Sequence, residues 1–211
     1  MRPRNKKHFE ERFERVRSLL IEDPAGCKGR WNNAFSGNGG RPVRLEIGCG
    51  KGAFIYGTAK ANPGADFVAL EVVPTVILMA MEKVFEDPEV KNVRFILADA
   101  RSLSDFFEED EIDRIYLNFS DPWPRKKQHK NRLTHPAFLA QYKKILKNGH
   151  MISQKTDNQD LFEFSLESYA ACGFDTEIPE GTPGDNVMTE YERRFTELGQ
   201  PIFRVNAINR K

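Results

Sequence analysis

The sequence predicts an α/β protein: a doubly wound, mostly parallel Rossmann-like sheet of about seven strands with an antiparallel strand near the C-terminus. Three observations carry this. From residue 43 onward, short apolar runs alternate with stretches of helical periodicity, as in a parallel sheet covered on both faces. The first run ends in Gly48-Cys49-Gly50-Lys51-Gly52, a turn in which the backbone can approach a ligand without a Cβ in the way. Carboxylates stand at or just past the ends of successive runs: Glu46, Glu71, Asp99, Asp121 and Asp157. Ligands of such sheets bind beyond the carboxyl ends of the strands.

In chain order, apolar spacing over residues 8–21 predicts a helix, followed by Asp23-Pro24 and the Gly-rich linker Ser36 to Gly40. Val43 to Ile47 reads as the first strand and 52–61 as a helix stopped at Asn62-Pro63-Gly64. Phe67 to Val72 is the second strand. Pro74 opens a helix to about Asp87, because proline in a first turn sacrifices no hydrogen bond. Val93 to Leu97 and Ile112 to Leu117 are the next strands. Residues 135–147 and 158–171 read as helices with Gly149 and Gly173 as stop signals, and Met151 to Gln154 as a strand between them. Ile202 to Ile208 alternates like a late antiparallel strand. The organisation expected is one domain over 1–211, with 1–42 a basic arm and linker and 43–211 the core.

Net charge is +1, so bulk charge identifies no partner. Its distribution is more informative: the first seventeen residues hold seven Lys or Arg against three Glu, and residues 125–132 hold five. Three widely spaced cysteines and four histidines without ligand spacing suggest neither a disulfide framework nor a metal site. No apolar run reaches the roughly eighteen residues of a membrane span, and the basic N-terminus lacks an apolar signal core. A cytoplasmic protein is expected, with no membrane and no metal; monomer and homodimer stay open.

The chemistry is expected in Asn118-Phe119-Ser120-Asp121-Pro122-Trp123-Pro124. Two prolines should hold this turn extended, setting a carboxylate and an indole in fixed relation. Trp123 reads equally as a stacking surface or as a lid on the core. The basic run behind it reads as a phosphate-binding segment or, taken alone, as a solvated loop.

Gly48-x-Gly50-x-x-Ala53 is also a permissive dinucleotide fingerprint. Glu46, two residues before the first glycine, would repel a pyrophosphate but suits a ligand ammonium group. Glu71 is placed to accept ribose hydroxyls, and Asp99 lies where an adenine would sit. S-adenosyl-L-methionine therefore fits better than NAD, with Glu46, Gly48, Gly50, Glu71, Asp99 and Asp121 as the cofactor-binding set.

Glu46-Ile-Gly-Cys-Gly-Lys-Gly52, Glu71, Ala98-Asp99-Ala100 and Leu117-Asn-Phe-Ser-Asp-Pro-Trp-Pro124 resemble the bacterial tRNA (guanine-N7-)-methyltransferases. Arg132-Leu-Thr134, Lys155-Thr-Asp-Asn158, Met188-Thr-Glu-Tyr-Glu192 and Gly199-Gln-Pro-Ile202 extend the resemblance over nearly the whole chain. It implies a class I methyltransferase fold and methylation of a guanine in the variable loop of tRNA. It implies Asp121 as the catalytic position. It places substrate contacts at Arg125, Asp157, Thr189, Glu190, Tyr191 and Glu192. Lys127, Gln128, His129, Lys130, Asn131 and Arg132 become the RNA-contacting segment. Arg125 replaces the family's lysine, keeping charge but changing its geometry. The competing readings are an amino-methyltransferase on adenine, since Asp-Pro-Trp-Pro resembles Asp-Pro-Pro-Tyr loops, a non-catalytic RNA-binding module, and a dehydrogenase.

Overall fold

Seven strands form one sheet in the order β3-β2-β1-β4-β5-β7-β6, seen in a computed structural model that describes residues 6–35, 40–181 and 187–211. The strands are β1 (Val43–Ile47), β2 (Asp66–Glu71), β3 (Val93–Leu97), β4 (Ile112–Asn118), β5 (Leu146–Thr156), β6 (Phe174–Glu177) and β7 (Phe203–Asn209). The helices are α1 (Lys6–Val16), α2 (Ala53–Ala61), α3 (Pro74–Phe85), α4 (Leu103–Phe106), α5 (Pro136–Ile145), α6 (Gln159–Ala171) and α7 (Glu190–Glu197). All pairings from β3 through β5 are parallel, while β7 runs antiparallel to both β5 and β6. The chain winds outward from β1 to β3, then returns to β4 on the other side of β1. Connections leave β1 and β4 in opposite directions, which opens a crevice at their carboxyl ends.

β2 is buried at all six positions, as a central strand covered on both faces must be. Core side chains fall on two sides. Leu45, Ile47, Ile115, Leu117 and Ile152 pack towards α5 together with Trp31 and Phe35, whereas Phe67, Ala69, Phe95 and Tyr116 pack towards α2 and α3. Trp31 is 1% exposed, stacks on Phe107 at 5.1 Å and donates its indole N–H to the Phe106 carbonyl at 2.9 Å. The segment before β1 therefore contributes to the core.

The structure redraws several expected boundaries. The helix expected over 8–21 ends at Val16, and Leu20 instead bridges Phe95 at the sheet edge, with the Ile21 N–H on the Phe95 carbonyl at 2.9 Å. An unpaired edge strand competes for those backbone groups and wins. Leu146 belongs to β5, opposite Ile112, so Gly149 lies within an irregularity of the strand rather than ending a helix. β6 and α7 escaped sequence reading: β6 has four residues, three of them exposed, and so shows little apolar pattern. The linker at 36–39 and the basic residues Arg2 and Arg4 lie outside the described residues.

Candidate active site

The loop leaving β1 uses its glycines in two ways. Gly48 and Gly50 have φ of 77° and 56°, and a Cβ at either meets nothing within 4 Å. Both face open space. At Gly52 (φ 79°) a Cβ would lie 2.6 Å from Ala80 Cβ, so this glycine lets α2 approach α3. Glu71 clamps the loop from β2: Oε2 accepts from the Gly50 N–H at 3.1 Å, and Oε1 from the N–H groups of Val72 and Val73 at 2.8 and 3.0 Å. Three backbone donors leave about one lone-pair direction free on this carboxylate. Asp99 caps the turn after β3, accepting the Arg101 N–H at 2.8 Å and its guanidinium at 2.7 Å. The other end of that guanidinium bonds Asn131 Oδ1 at 3.1 Å.

These elements surround a cleft of about 440 Å³ lined by Gly48, Glu71, Asp99, Asp121, Trp123 and Phe138 among others. Asp121 is exposed and Trp123 half-buried, so the indole is a wall of the cleft and not a core residue. Glu46 lies behind the glycine loop, 2% exposed, with Oε1 accepting from Asn118 Nδ2 at 2.9 Å and Oε2 buried without a partner. Burial pushes its carboxyl up to about 8, against the opposite pull of Asn118 and the Lys155 ammonium.

The loop after β4 is not the extended turn expected from its prolines. Phe119 and Trp123 take φ of 50° and 42°, a region costly for bulky side chains by roughly 1–2 kcal/mol each. Three contacts hold it there. The Phe119 N–H donates to the Lys155 carbonyl at 2.8 Å. The Phe119 ring lies 5.3 Å from Tyr191. Arg132 is fully buried, with Nε donating to the Pro122 carbonyl at 2.7 Å, Nη2 to Trp123 O at 3.5 Å and to Asp160, and the guanidinium 4.7 Å from the Phe164 ring. Arg132 thus leaves the expected RNA-contacting set, because a charge spent inside the fold cannot meet a phosphate. Of the rest, Lys127 and Lys130 are exposed, while Gln128, His129 and Asn131 are half-buried along a 3-10 turn over Lys126–Asn131.

Among the expected substrate residues, Arg125 is exposed and Asp157 half-buried just past β5. Thr189 caps α7, its hydroxyl accepting the Glu192 N–H at 2.8 Å, and Tyr191 is 49% exposed. The side chain of Glu190 lies outside the description. Glu192 corrects the expectation: it is fully buried and bonds Lys155 Nζ and Arg204 Nη2, each at 2.7 Å. Thr189-x-x-Glu192 spells a capping box, which signals the start of α7, but this glutamate reaches inward to two cations. Lys155, whose pKa burial lowers, also donates to the Val187 carbonyl at 3.1 Å. Arg101 and the side-chain roles of Asn118 and Lys155 were not readable from the sequence, since each depends on a contact with a residue distant in the chain: Asn131, Glu46 and Glu192 respectively. Among the described residues no group of three His, Cys, Asp or Glu could hold a metal ion.

A doubly wound sheet with a glycine loop and acids at consecutive strand ends defines a Rossmann-like protein with its ligand cleft at the carboxyl ends of the strands. The family profile described as "Putative methyltransferase" matches residues 40–205. A tRNA (guanine-N(7)-)-methyltransferase of Streptococcus sanguinis is 43% identical, covering 98% of this chain and 99% of its own. One from an Exiguobacterium species is 44% identical, covering 100% and 99%. The chain belongs to this tRNA (guanine-N(7)-)-methyltransferase family. Among solved structures, a precorrin-6y C5,15-methyltransferase from Geobacter metallireducens shares the fold, with a TM-score of 0.57 at 15% identity over 94% of this chain and 88% of that one.

The residues present fit S-adenosyl-L-methionine. The partnerless Glu46 Oε2 suits a ligand ammonium, the open backbone at Gly48 and Gly50 gives close approach, and Glu71 keeps acceptor capacity at the cleft wall.

Proposed function

We infer that the chain methylates N7 of a guanine in the variable loop of tRNA, with S-adenosyl-L-methionine as donor. One observation carries the placement of the chemistry: Asp121 and Trp123 line the same cleft as Glu71 and Asp99, with Arg125 to Lys130 directly behind. In this reading Glu46, Gly48, Gly50, Glu71, Asp99 and Asp121 hold the donor, which supplies an electrophilic methyl group.

Guanine N7 carries a free lone pair and no proton, so the residues need not supply a general base. Their work is alignment. Asp121 holds the N1–H and amino edge of the guanine and offsets the positive charge that the base acquires. Arg125, Asp157, Thr189 and Tyr191 meet the substrate, and Tyr191 is already seated on the loop carrying Asp121. Glu192 acts indirectly, by fixing α7 through Lys155 and Arg204. Lys127 and Lys130, with the half-buried Gln128, His129 and Asn131, engage the RNA. N7 is poorly reached in the deep major groove of an RNA helix, which favours a guanine in a loop.

In the same reading, residues 1–42 and 43–211 form one domain, supported by Trp31 and Phe35 in the core. The protein works in the cytoplasm, where its tRNA substrate would be. No helix among the described residues is long and apolar enough to cross a membrane. The test is incubation with labelled S-adenosylmethionine and bulk tRNA, followed by mapping of the methylated base. Label at N6 of adenine instead of N7 of guanine would overturn the assignment.

A further inference from the structure

The cleft wall carries one arginine that belongs to neither the cofactor set nor the RNA set. Arg101 stands just past β3, on a 3-10 turn over Ala100–Ser102, and lines the cleft together with Asp99 and Asn131. Its planar fork is used at both ends. Nη1 donates to Asp99 Oδ2 at 2.7 Å, and Nη2 to Asn131 Oδ1, 30 residues away, at 3.1 Å. The Arg101 N–H also holds Asp99 Oδ1 at 2.8 Å, and the guanidinium carbon lies 5.9 Å from the ring of the buried Phe138. One side chain therefore spans from the acid after β3 to the turn after β4.

The residue held at the far end gives this link its meaning. Asn131 closes the 3-10 turn over Lys126–Asn131, on which the exposed Lys127 and Lys130 stand. Its neighbour Arg132 is the buried clamp on the carbonyls of Pro122 and Trp123. A contact running from Asp99 through Arg101 to Asn131 joins the cofactor side of the cleft to the segment that carries both the clamp on the Asp121 loop and the exposed lysines.

In the free protein this link is weak. The side chains of Arg101 and Asp99 are 60% and 46% exposed, and an ion pair so open to water contributes little. An occupant of the cleft changes that. Asp99 and Arg101 form part of its wall, so a bound ligand displaces water from the pair, lowers the local dielectric and strengthens the attraction. Because the guanidinium fork is rigid, the end at Asn131 is fixed along with the end at Asp99. The turn is then ordered before RNA arrives.

We propose that Arg101 is a positioning residue that couples the two substrates: filling the cofactor site tightens tRNA binding through Asp99, Arg101 and Asn131. The proposal rests on the tRNA reading above. Fluorescence anisotropy measures the dissociation constant of tRNA without S-adenosylhomocysteine and with it at a concentration saturating for each variant, and the ratio of the two is the readout. In wild type the ratio should be about two to five, the scale of one exposed ion pair that becomes shielded. By linkage, tRNA should tighten S-adenosylhomocysteine binding by the same factor. Arg101→Gln should bring the ratio to about one, as should Arg101→Lys, whose single ammonium keeps the charge but cannot span both partners. Asn131→Ala should do the same, since any direct RNA contact it loses cancels in the ratio. A merely structural role would weaken tRNA binding in both states and leave the ratio alone. An uncoupled wild type overturns the proposal, and so does a wild-type ratio kept in Arg101→Gln or in Asn131→Ala. Coupling kept in Arg101→Lys but lost in Arg101→Gln overturns it too, since charge and not the bridge would then be responsible. Equal weakening in both states, with a salt slope shallower by about 0.7, would make Arg101 a plain phosphate contact and also overturns it. A wild type that binds no tRNA in either state overturns the tRNA reading itself, whereas tight but uncoupled binding overturns only this proposal.

Discussion

Cofactor binding should expel a proton from Glu46. The carboxyl sits 2% exposed with one oxygen partnerless, and burial lifts its pKa from 4.5 to about 8. At pH 7 roughly nine in ten molecules therefore carry the proton in the free protein. A ligand ammonium beside Oε2 restores the missing counter-charge and favours the carboxylate. Calorimetric titration with S-adenosylhomocysteine in buffers of different ionisation enthalpy reads the proton count directly. The expected release is about 0.9 proton at pH 7, with affinity rising nearly tenfold per pH unit below 7 and levelling above about 8. Glu46→Gln should abolish the release. A release near zero in wild type, or one that persists in Glu46→Gln, would refute the placement of the ammonium at Glu46. Stability gives an independent check. The folded pKa exceeds the unfolded value, so the contribution of neutral Glu46 is complete below 4.5 and is lost as pH rises through about 8. That amounts to about 3 kcal/mol between pH 4.5 and 7, and Glu46→Gln should flatten the profile.

Asp121→Asn should cut methyl transfer about 10²- to 10³-fold, the scale of one lost preorganised electrostatic contact, while melting stays within a few degrees because the side chain is exposed. Near-normal single-turnover rates would remove Asp121 from the chemistry. Arg132→Met should cost about 2–3 kcal/mol in denaturant unfolding, because the carbonyls of Pro122 and Trp123 lose a charged donor. Its tRNA salt slope should match wild type; a shallower slope would return Arg132 to the RNA surface. Lys127→Ala with Lys130→Ala should do the reverse, with unaltered stability and a slope shallower by about 0.7 per lost contact. An unchanged slope there would make this turn a solvated face.

Much of this protein was legible in the chain itself. Alternation of strand and helix patterns dictated the parallel sheet, and Pro74 and the stop after Ala61 marked helix ends to within a residue or two. The glycine loop and the acids at Glu71, Asp99 and Asp121 were readable because a parallel sheet brings the carboxyl ends of its strands together whatever the details of packing. The structure does place those residues around one cleft.

Other features depend on contacts between residues distant in sequence. Arg132 and Lys130 both read as cations of one basic run, yet one is buried beneath Pro122 and Trp123 and the other is exposed. Composition cannot separate them, since a charge's role depends on the side of a turn it occupies. Glu192 likewise read as a substrate contact by resemblance, but Lys155 and Arg204, 37 and 12 residues away, claim its oxygens. The left-handed Phe119 and Trp123 run against their local preferences and persist because β5, α7 and Arg132 hold them. The unpaired oxygen of Glu46 is a property of the folded interior. It exists only once neighbouring strands exclude water and decide which polar atoms find partners.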